Sequence, residues 1–175
     1  GGKPAIRKIV VSFVPDANTI DSLLQAGDLD VVFFADVMRI SALQGLPAHH
    51  IVQTPTTQFG TIQFNTQDAI VGQRAVRLAF AMAIDDATVD RDVFHGYYPP
   101  HTGMQGLFTW AYDPAAGYIP YDPARARALL AAAGWKAGAD GIREKDGHRL
   151  HVSLILPAGS AAWSSIGAQV IQYER

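Results

Sequence analysis

The sequence predicts an α/β fold built on an open sheet, and three observations carry that expectation. Short apolar runs alternate with capped helical stretches through the first 43 residues. A largely apolar helical stretch then lies near the middle of the chain, and a strongly capped helix followed by a hairpin and another strand lies toward its end. Strand, helix and strand joined by brief links is the pattern of an α/β unit rather than of a bundle or a sandwich.

The first strand is expected over residues 8–14, where Ile9, Val11 and Phe13 alternate with Val10 and Ser12 until Pro15 ends the run, with both faces partly buried. Asn18 is a candidate cap for a helix that places Ile20, Leu23 and Leu24 on one face and stops at Gly27. A second strand is expected over 30–34 and a helix over 36–43, after which Gly45 and Pro47 break the chain. Residues 51–53 and 58–65 read as further strands, the second alternating Phe59, Thr61 and Gln63 against Gly60, Ile62 and Phe64.

Over 71–84, Val76, Ala79, Phe80, Ala83 and Ile84 recur at helical spacing, while Leu78 and Met82 widen the apolar surface, so this helix is expected to be largely buried. Arg74 and Arg77, three apart, read as a solvated edge, with contact to a ligand the alternative. Asp85 or Asp86 can cap a short helix through Phe94, closed by Gly96. The proline- and glycine-rich stretch 97–120 predicts a long ordered loop. Its neighbourhood holds Tyr97, Tyr98, Phe108, Trp110, Tyr112, Tyr118 and Tyr121, which either wall an apolar pocket or fasten the loop onto the sheet, with fastening the expected role.

Asp122-Pro123 is the clearest local signal, because the carboxylate accepts from free amides while proline fits the first helical position. Ala126, Leu129, Leu130 and Ala133 form the buried stripe, and Gly134 supplies the left-handed end. Residues 140–149 read as a hairpin turning at Asp146-Gly147 and feeding a strand over 148–156, and 160–175 returns to helix with no stop signal.

Composition narrows the function. With 175 residues, of which 49% are apolar and 17% charged, the chain can bury one core and is not disordered. A net charge of −2 gives no field to draw in nucleic acid or an anionic membrane. The lack of cysteine removes disulfides, thiolate nucleophiles and cysteine-ligated zinc, and leaves the compartment open. The apolar stretches 31–35 and 128–133 fall far short of the roughly 18 residues that cross a bilayer. Lys3, Arg7 and Lys8 interrupt the region where the apolar core of a signal peptide belongs, so the chain reads as mature or as cut from something larger.

Little points to chemistry. His49 and His50 are adjacent, His148 and His151 fall on opposite faces of a strand, and no metal site is expected. The run 140–147 lacks the alternating oxygen ligands of a calcium loop. No nucleophile elbow, P-loop or dinucleotide fingerprint occurs, so no cofactor is expected and the chain is not read as an enzyme.

Several segments together carry a family resemblance. They are Phe64-Asn65-Thr66, the run Arg74-Ala75-Val76-Arg77-Leu78-Ala79-Phe80-Ala81-Met82-Ala83-Ile84-Asp85, His95-Gly96, and the run from Tyr121-Asp122-Pro123 to Gly134-Trp135. The hairpin 140–147 and the earlier Gly27-Asp28-Leu29-Asp30-Val31 follow the same order. The chain resembles the family 5 extracellular solute-binding proteins of ABC importers, which include dipeptide, oligopeptide and nickel binders.

The resemblance implies a periplasmic-binding-protein-like lobe, an open mixed sheet flanked by helices. Residues 1–175 would then be most of the second, C-terminal lobe of a two-lobed protein, with the first lobe and the end of the second absent. It also implies a non-catalytic component in the periplasm or at the cell surface. Such a protein captures a peptide-like or other small polar solute and delivers it, as a monomer, to the transmembrane subunits of an ABC permease, with no nucleic-acid partner and no membrane span of its own. The alternatives are a sensory or regulatory domain reusing the lobe and a small hydrolase. Dipeptide binders place an arginine in the loop after the strand equivalent to 151–156. Here that loop reads Pro157-Ala158-Gly159-Ser160-Ala161-Ala162-Trp163, and Gln67-Asp68-Ala69-Ile70 stands where the family has a proline-rich approach to the buried helix. Because open α/β sheets bind ligands beyond the carboxyl ends of their strands, Asn65, Thr66 and Gln67 after one strand, and Ser160 and Trp163 after another, are the candidate ligand-binding residues. Ordinary loop capping is the plainer role for each.

Overall fold

The computed structural model describes residues 4–33, 39–47, 49–54, 59–98, 103, 105–158 and 161–173. It divides into two units, Gly1–Val52 and Gln53–Arg175.

In the first unit, helix α1 (Ala17–Ala26) begins two residues earlier than its composition suggests. Asp16 caps it by accepting from both the Thr19 amide and the Thr19 hydroxyl, and the hydroxyl's hydrogen bond first, then the amide's, hold the Asp16 carboxyl below its ordinary pKa. Asn18, the expected cap, lies inside the helix and accepts instead from Arg39 Nη1 at 3.0 Å, while the same guanidinium pairs with Asp21. Gly27 ends α1 at φ 78°, with its own amide and that of Asp28 returning to Leu24 and Leu23. Helix α2 (Ile40–Gln44) is a single turn beyond residues 34–38, which lie outside the described set; residues 30–33 of the expected second strand are described and form no ladder.

Residues 8–14 form no ladder, and the same holds for 51–53. Alternation of side chains marks a chain able to join a sheet, but joining requires a neighbour for every second N–H and C=O, and no described residue supplies one. The expected burial of both faces fails with it: Phe13 is 94% exposed, and Ile9, Val10 and Val11 are also largely open.

The second unit is organised around α3 (Arg74–Ala83), which buries two faces as its wide apolar surface requires. One face sets Ala79 and Met82 against Ala126 of α5 (Pro123–Ala132), with Ile119, Leu129 and Leu130 packed around them. The other sets Phe80, with Ile84 just past the helix end, against Val170 of α6 (Ala161–Tyr173), together with Ile62, Phe64, Val89, Leu154 and Ile166. Phe64 meets Phe80 edge to face at 5.4 Å. The stretch 59–64 thus sends the alternate side chains Ile62 and Phe64 into this core, as extended chain does, and 150–156 sends Leu154, yet neither is assigned to a strand.

Helix α4 (Asp86–Phe94) is capped by Asp85, which accepts from the Thr88 amide and hydroxyl. It closes at His95 in the left-handed conformation, one residue before the expected Gly96. Asp122 caps α5 through the Arg125 amide, Pro123 opens it, and Gly134 at φ 91° closes it with its amide on Ala131 and that of Trp135 on Leu130. Beyond lies a three-stranded antiparallel sheet in order β1 (Lys136–Ala137), β2 (Arg143–Lys145), β3 (His148–Arg149). Asp146 and Gly147, at φ 51° and 78°, make the expected tight turn. Only His148 and Arg149 of the expected strand 148–156 are paired, and β1 is an element the composition did not announce.

Helices with a small open sheet make the α/β lobe the sequence predicts. No described residue of 97–120 is helical or paired, in keeping with the expected loop. Its aromatics are not all fastened: Trp110 is 99% exposed and Phe108 is largely open, because among the described residues no element lies over them. No helix among the described residues is long and apolar enough to cross a membrane.

Candidate functional site

Asn65, Thr66 and Gln67 form an exposed turn at the end of the 59–64 segment, directly after the half-buried Phe64. Asn65 Oδ1 accepts from the Gln67 amide at 3.1 Å, and its carbonyl accepts from the Asp68 amide at 3.1 Å, so part of its side chain does cap its own loop. Its Nδ2, the Thr66 hydroxyl and the Gln67 side-chain amide have no partner among the described residues. Together they offer a small polar solute donors and acceptors of both kinds.

The turn is braced from beneath. Asp68 Oδ1 accepts from Val71 N at 2.9 Å and Ile70 N at 2.7 Å, and these hydrogen bonds hold its carboxyl below the ordinary pKa. The Gly72 amide donates to the Asp68 carbonyl at 2.9 Å. A Cβ on Gly72 would stand 2.2 Å from that carbonyl oxygen and 2.8 Å from that of Thr66, so only glycine fits. From α3, Arg77 Nη1 reaches back to the carbonyls of Gly72 at 2.6 Å and Val71 at 3.0 Å, which makes Arg77 a structural clamp rather than a solvated edge. Gln73 joins the turn to the hairpin side. Its Nε2 donates to Ala69 O at 2.8 Å and its Oε1 accepts from Trp135 Nε1 at 3.3 Å, while Arg143 Nη1 binds the Trp135 carbonyl at 2.9 Å.

Trp163 sits half-buried on the first turn of α6, and Ser160 lies outside the described residues. A Cβ on Gly60 would lie 3.7 Å from Trp163 Cη2, so the indole tip rests on the start of the segment whose far end carries Asn65. Five residues of extended chain separate those ends by up to about 17 Å. Trp163 thus rests on the segment that leads to the turn, five residues before Asn65. Helix α6 approaches residue 156 closely: a Cβ on Gly167 would stand 2.3 Å from Leu156 Cδ1.

The bracing residues Asp68, Gly72, Gln73 and Trp135 escaped sequence reading. An aspartate followed four residues later by glycine is a usable local signal for the turn, whereas the contact between Gln73 and Trp135 spans 62 residues and leaves none. The hairpin carboxylates are engaged structurally: Asp140 accepts from Ile142 N at 3.1 Å and pairs with Arg149, and both lower its pKa, the amide first. No group of three His, Asp or Glu side chains among the described residues is placed to hold a metal ion.

The family model for bacterial extracellular solute-binding proteins, family 5 Middle, matches residues 1–174. The heme-binding protein A of Haemophilus influenzae is 30% identical over 137 residues, covering 78% of this chain and 25% of that protein. The nickel-binding periplasmic protein of Escherichia coli is 29% identical over 185 aligned positions, covering 98% of this chain and 34% of its own length. Among solved structures, the oligopeptide-binding protein AppA of Bacillus subtilis in complex with a nonapeptide superposes with a TM-score of 0.79 at 25% identity, over 92% of this chain and 32% of that one. The chain therefore spans between a quarter and about a third of the proteins it matches.

Proposed function

Because this chain belongs to the family 5 bacterial extracellular solute-binding proteins, we propose that it forms part of the second lobe of a solute-binding component of an ABC importer. The observation that carries the reading is the family match over residues 1–174, supported by superposition of the lobe on a peptide-bound relative.

In this reading the protein works in the periplasm or at the cell surface. It encloses a peptide-like or other small polar solute between two lobes and presents it, as a single copy, to the permease subunits, without altering it chemically. Hinge closure supplies the second wall that this lobe lacks. Asn65, Thr66 and Gln67 contact the solute from the turn after 59–64, and Ser160 and Trp163 contact it from the N-terminal end of α6. The bracing by Asp68, Gly72 and Arg77 favours this role for the turn, because a loop held in one shape loses little conformational entropy on binding. Trp163 offers an aromatic face and one N–H donor.

Native mass spectrometry of the natural protein, purified without refolding, tests the proposal. A co-purifying series of peptide masses is the expected result. Release of a chemically changed product from an added peptide would overturn the non-catalytic reading. A single non-peptide mass would keep solute binding and replace the peptide class.

A further inference from the structure

The sequence holds two Asp-Gly pairs, Asp140-Gly141 and Asp146-Gly147, and both lie in the hairpin region beyond α5. An aspartate before glycine is open to attack on its own carboxyl, because glycine has no Cβ to shield the amide nitrogen that follows. By residue type the two pairs are equivalent. Both aspartates are also exposed, so access of water does not separate them.

The fold separates them at the groups that must react, the aspartate carboxyl and the glycine nitrogen. At Asp140, Oδ1 accepts from the Ile142 amide at 3.1 Å and Oδ2 pairs with Arg149, while the Gly141 amide donates to the Gly138 carbonyl at 3.1 Å. The Ile142 amide first, and then the Arg149 charge, keep this carboxyl ionised to lower pH than usual. An ionised carboxylate resists a nucleophile, since oxygen leaves as water only from the protonated group. At Asp146 neither group is engaged. Lys145 pairs with His148 to close the turn, and between them the Asp146 carboxyl and the Gly147 amide have no hydrogen-bond partner among the described residues. Asp146 also stands at φ 51°, a left-handed backbone that costs a non-glycine residue energy, and the β3 strand that restrains it is two residues long.

We propose that Asp146 is a site of spontaneous isomerisation to isoaspartate, and that the hairpin protects Asp140, its counterpart in sequence, from the same change. The Gly147 nitrogen bonds to Asp146 Cγ and gives up its proton, and a carboxyl oxygen leaves as water, which closes a five-membered succinimide ring. Water then opens the ring at either carbonyl. Opening at Cγ restores aspartate, whereas opening at the backbone carbonyl leaves the chain running through Cβ and Cγ, one methylene longer. The net change consumes no oxidant and no co-reactant. The longer link displaces Lys145 relative to His148 and undoes the register of β2 with β3. This chemistry does not depend on the solute-import reading.

The test incubates the natural protein, folded and in parallel unfolded in urea, in water enriched in heavy oxygen at mildly acidic pH. Trypsin then cuts at Arg143, between the two pairs, so each is read in its own peptide. Every ring opening leaves one heavy oxygen in the product, and chromatographic splitting of a peptide into two species of equal mass marks isoaspartate. In the folded protein, label at Asp146 is expected to exceed that at Asp140 by at least about tenfold, because Asp140 must first give up hydrogen bonds at both reacting groups. In urea those contacts are gone and the two pairs should label at similar rates. Equal labelling in the folded protein, faster labelling at Asp140, a preference for Asp146 that persists in urea, or an unlabelled Asp146 in folded protein while the unfolded chain labels would each overturn the proposal. None of these outcomes alters whether peptides co-purify, so failure here and failure of the import reading remain distinct.

Discussion

Replacing Gly72 by alanine probes the bracing of the Asn65–Gln67 turn at its tightest point. Its φ lies outside the left-handed region, so the requirement for glycine is one of space. The added Cβ would meet the Asp68 carbonyl oxygen at 2.2 Å and the Thr66 carbonyl oxygen at 2.8 Å. Both are backbone atoms of a turn already tied by Asp68 to the Ile70 and Val71 amides, and neither can rotate away. Relief requires the backbone to shift by about 0.8 Å, at the roughly 1–3 kcal/mol typical of overpacking. That shift also breaks the hydrogen bond from the Gly72 amide to Asp68 and loosens the 2.6 Å contact from Arg77, each worth about 1 kcal/mol net. The expected loss is about 3 kcal/mol, or about 6–12 °C in Tm for a chain of this size.

Urea unfolding followed by tryptophan fluorescence measures this, with an unchanged m-value showing that the denatured state is the same. Gly60→Ala is the internal control, because its Cβ would make only an ordinary 3.7 Å contact with Trp163 and should cost less than about 0.5 kcal/mol. Gly96→Ala, at φ 80° with open space around it, should fall between them at about 1 kcal/mol from backbone strain alone. A Gly72→Ala protein within about 0.5 kcal/mol of the parent, or a Gly60→Ala protein equally destabilised, would refute the steric reasoning.

Trp135, 2% exposed, should tolerate phenylalanine at a cost of about 1–3 kcal/mol, since the ring is largely kept while Gln73 Oε1 loses its donor; chemical denaturation gives the value. Asp122→Ala removes the α5 cap on the Arg125 amide and should cost about 1 kcal/mol, readable as a fall in Tm without loss of helical circular dichroism at 25 °C. The carboxyls of Asp16, Asp68 and Asp140 all titrate below their unfolded value of 3.8 in the folded chain. Their stabilisation is therefore present above that value and lost as pH falls through the lower folded pKa. Stability should decline from about pH 5 downward, and Asp68→Asn should flatten that slope in a pH series of urea midpoints. Asp86 runs the opposite way: burial first, and then the neighbouring Asp85 charge, raise its pKa, so Asp86→Asn should steepen the same acid decline.

What the sequence by itself determined is the part of the fold held together by near neighbours. The Asp122-Pro123 start and Gly134 end of α5, the Gly27 stop of α1 and the Asp146-Gly147 turn each depend on hydrogen bonds closed within six residues, and each stands where the residue types put it. The apolar spacing of α3 likewise announced a helix buried on more than one side. The order of these signals also marked the family, because a family is recognised by local motifs in series.

Only the tertiary structure decided what depends on partners far along the chain. Residues 8–14 and 59–64 carry strand-like alternation, but alternation cannot say whether a neighbouring strand exists, and among the described residues none pairs with them. Arg74 and Arg77 look alike in sequence, yet Arg77 clamps the carbonyls of Val71 and Gly72 while Arg74 is exposed. Gly72 shows no left-handed φ, and its necessity arises only because two carbonyls of the folded turn occupy the space of a side chain. Local hydrogen bonds are encoded by adjacent residue types, whereas the shape of a site is fixed by which distant backbones and side chains come to share the same few ångströms.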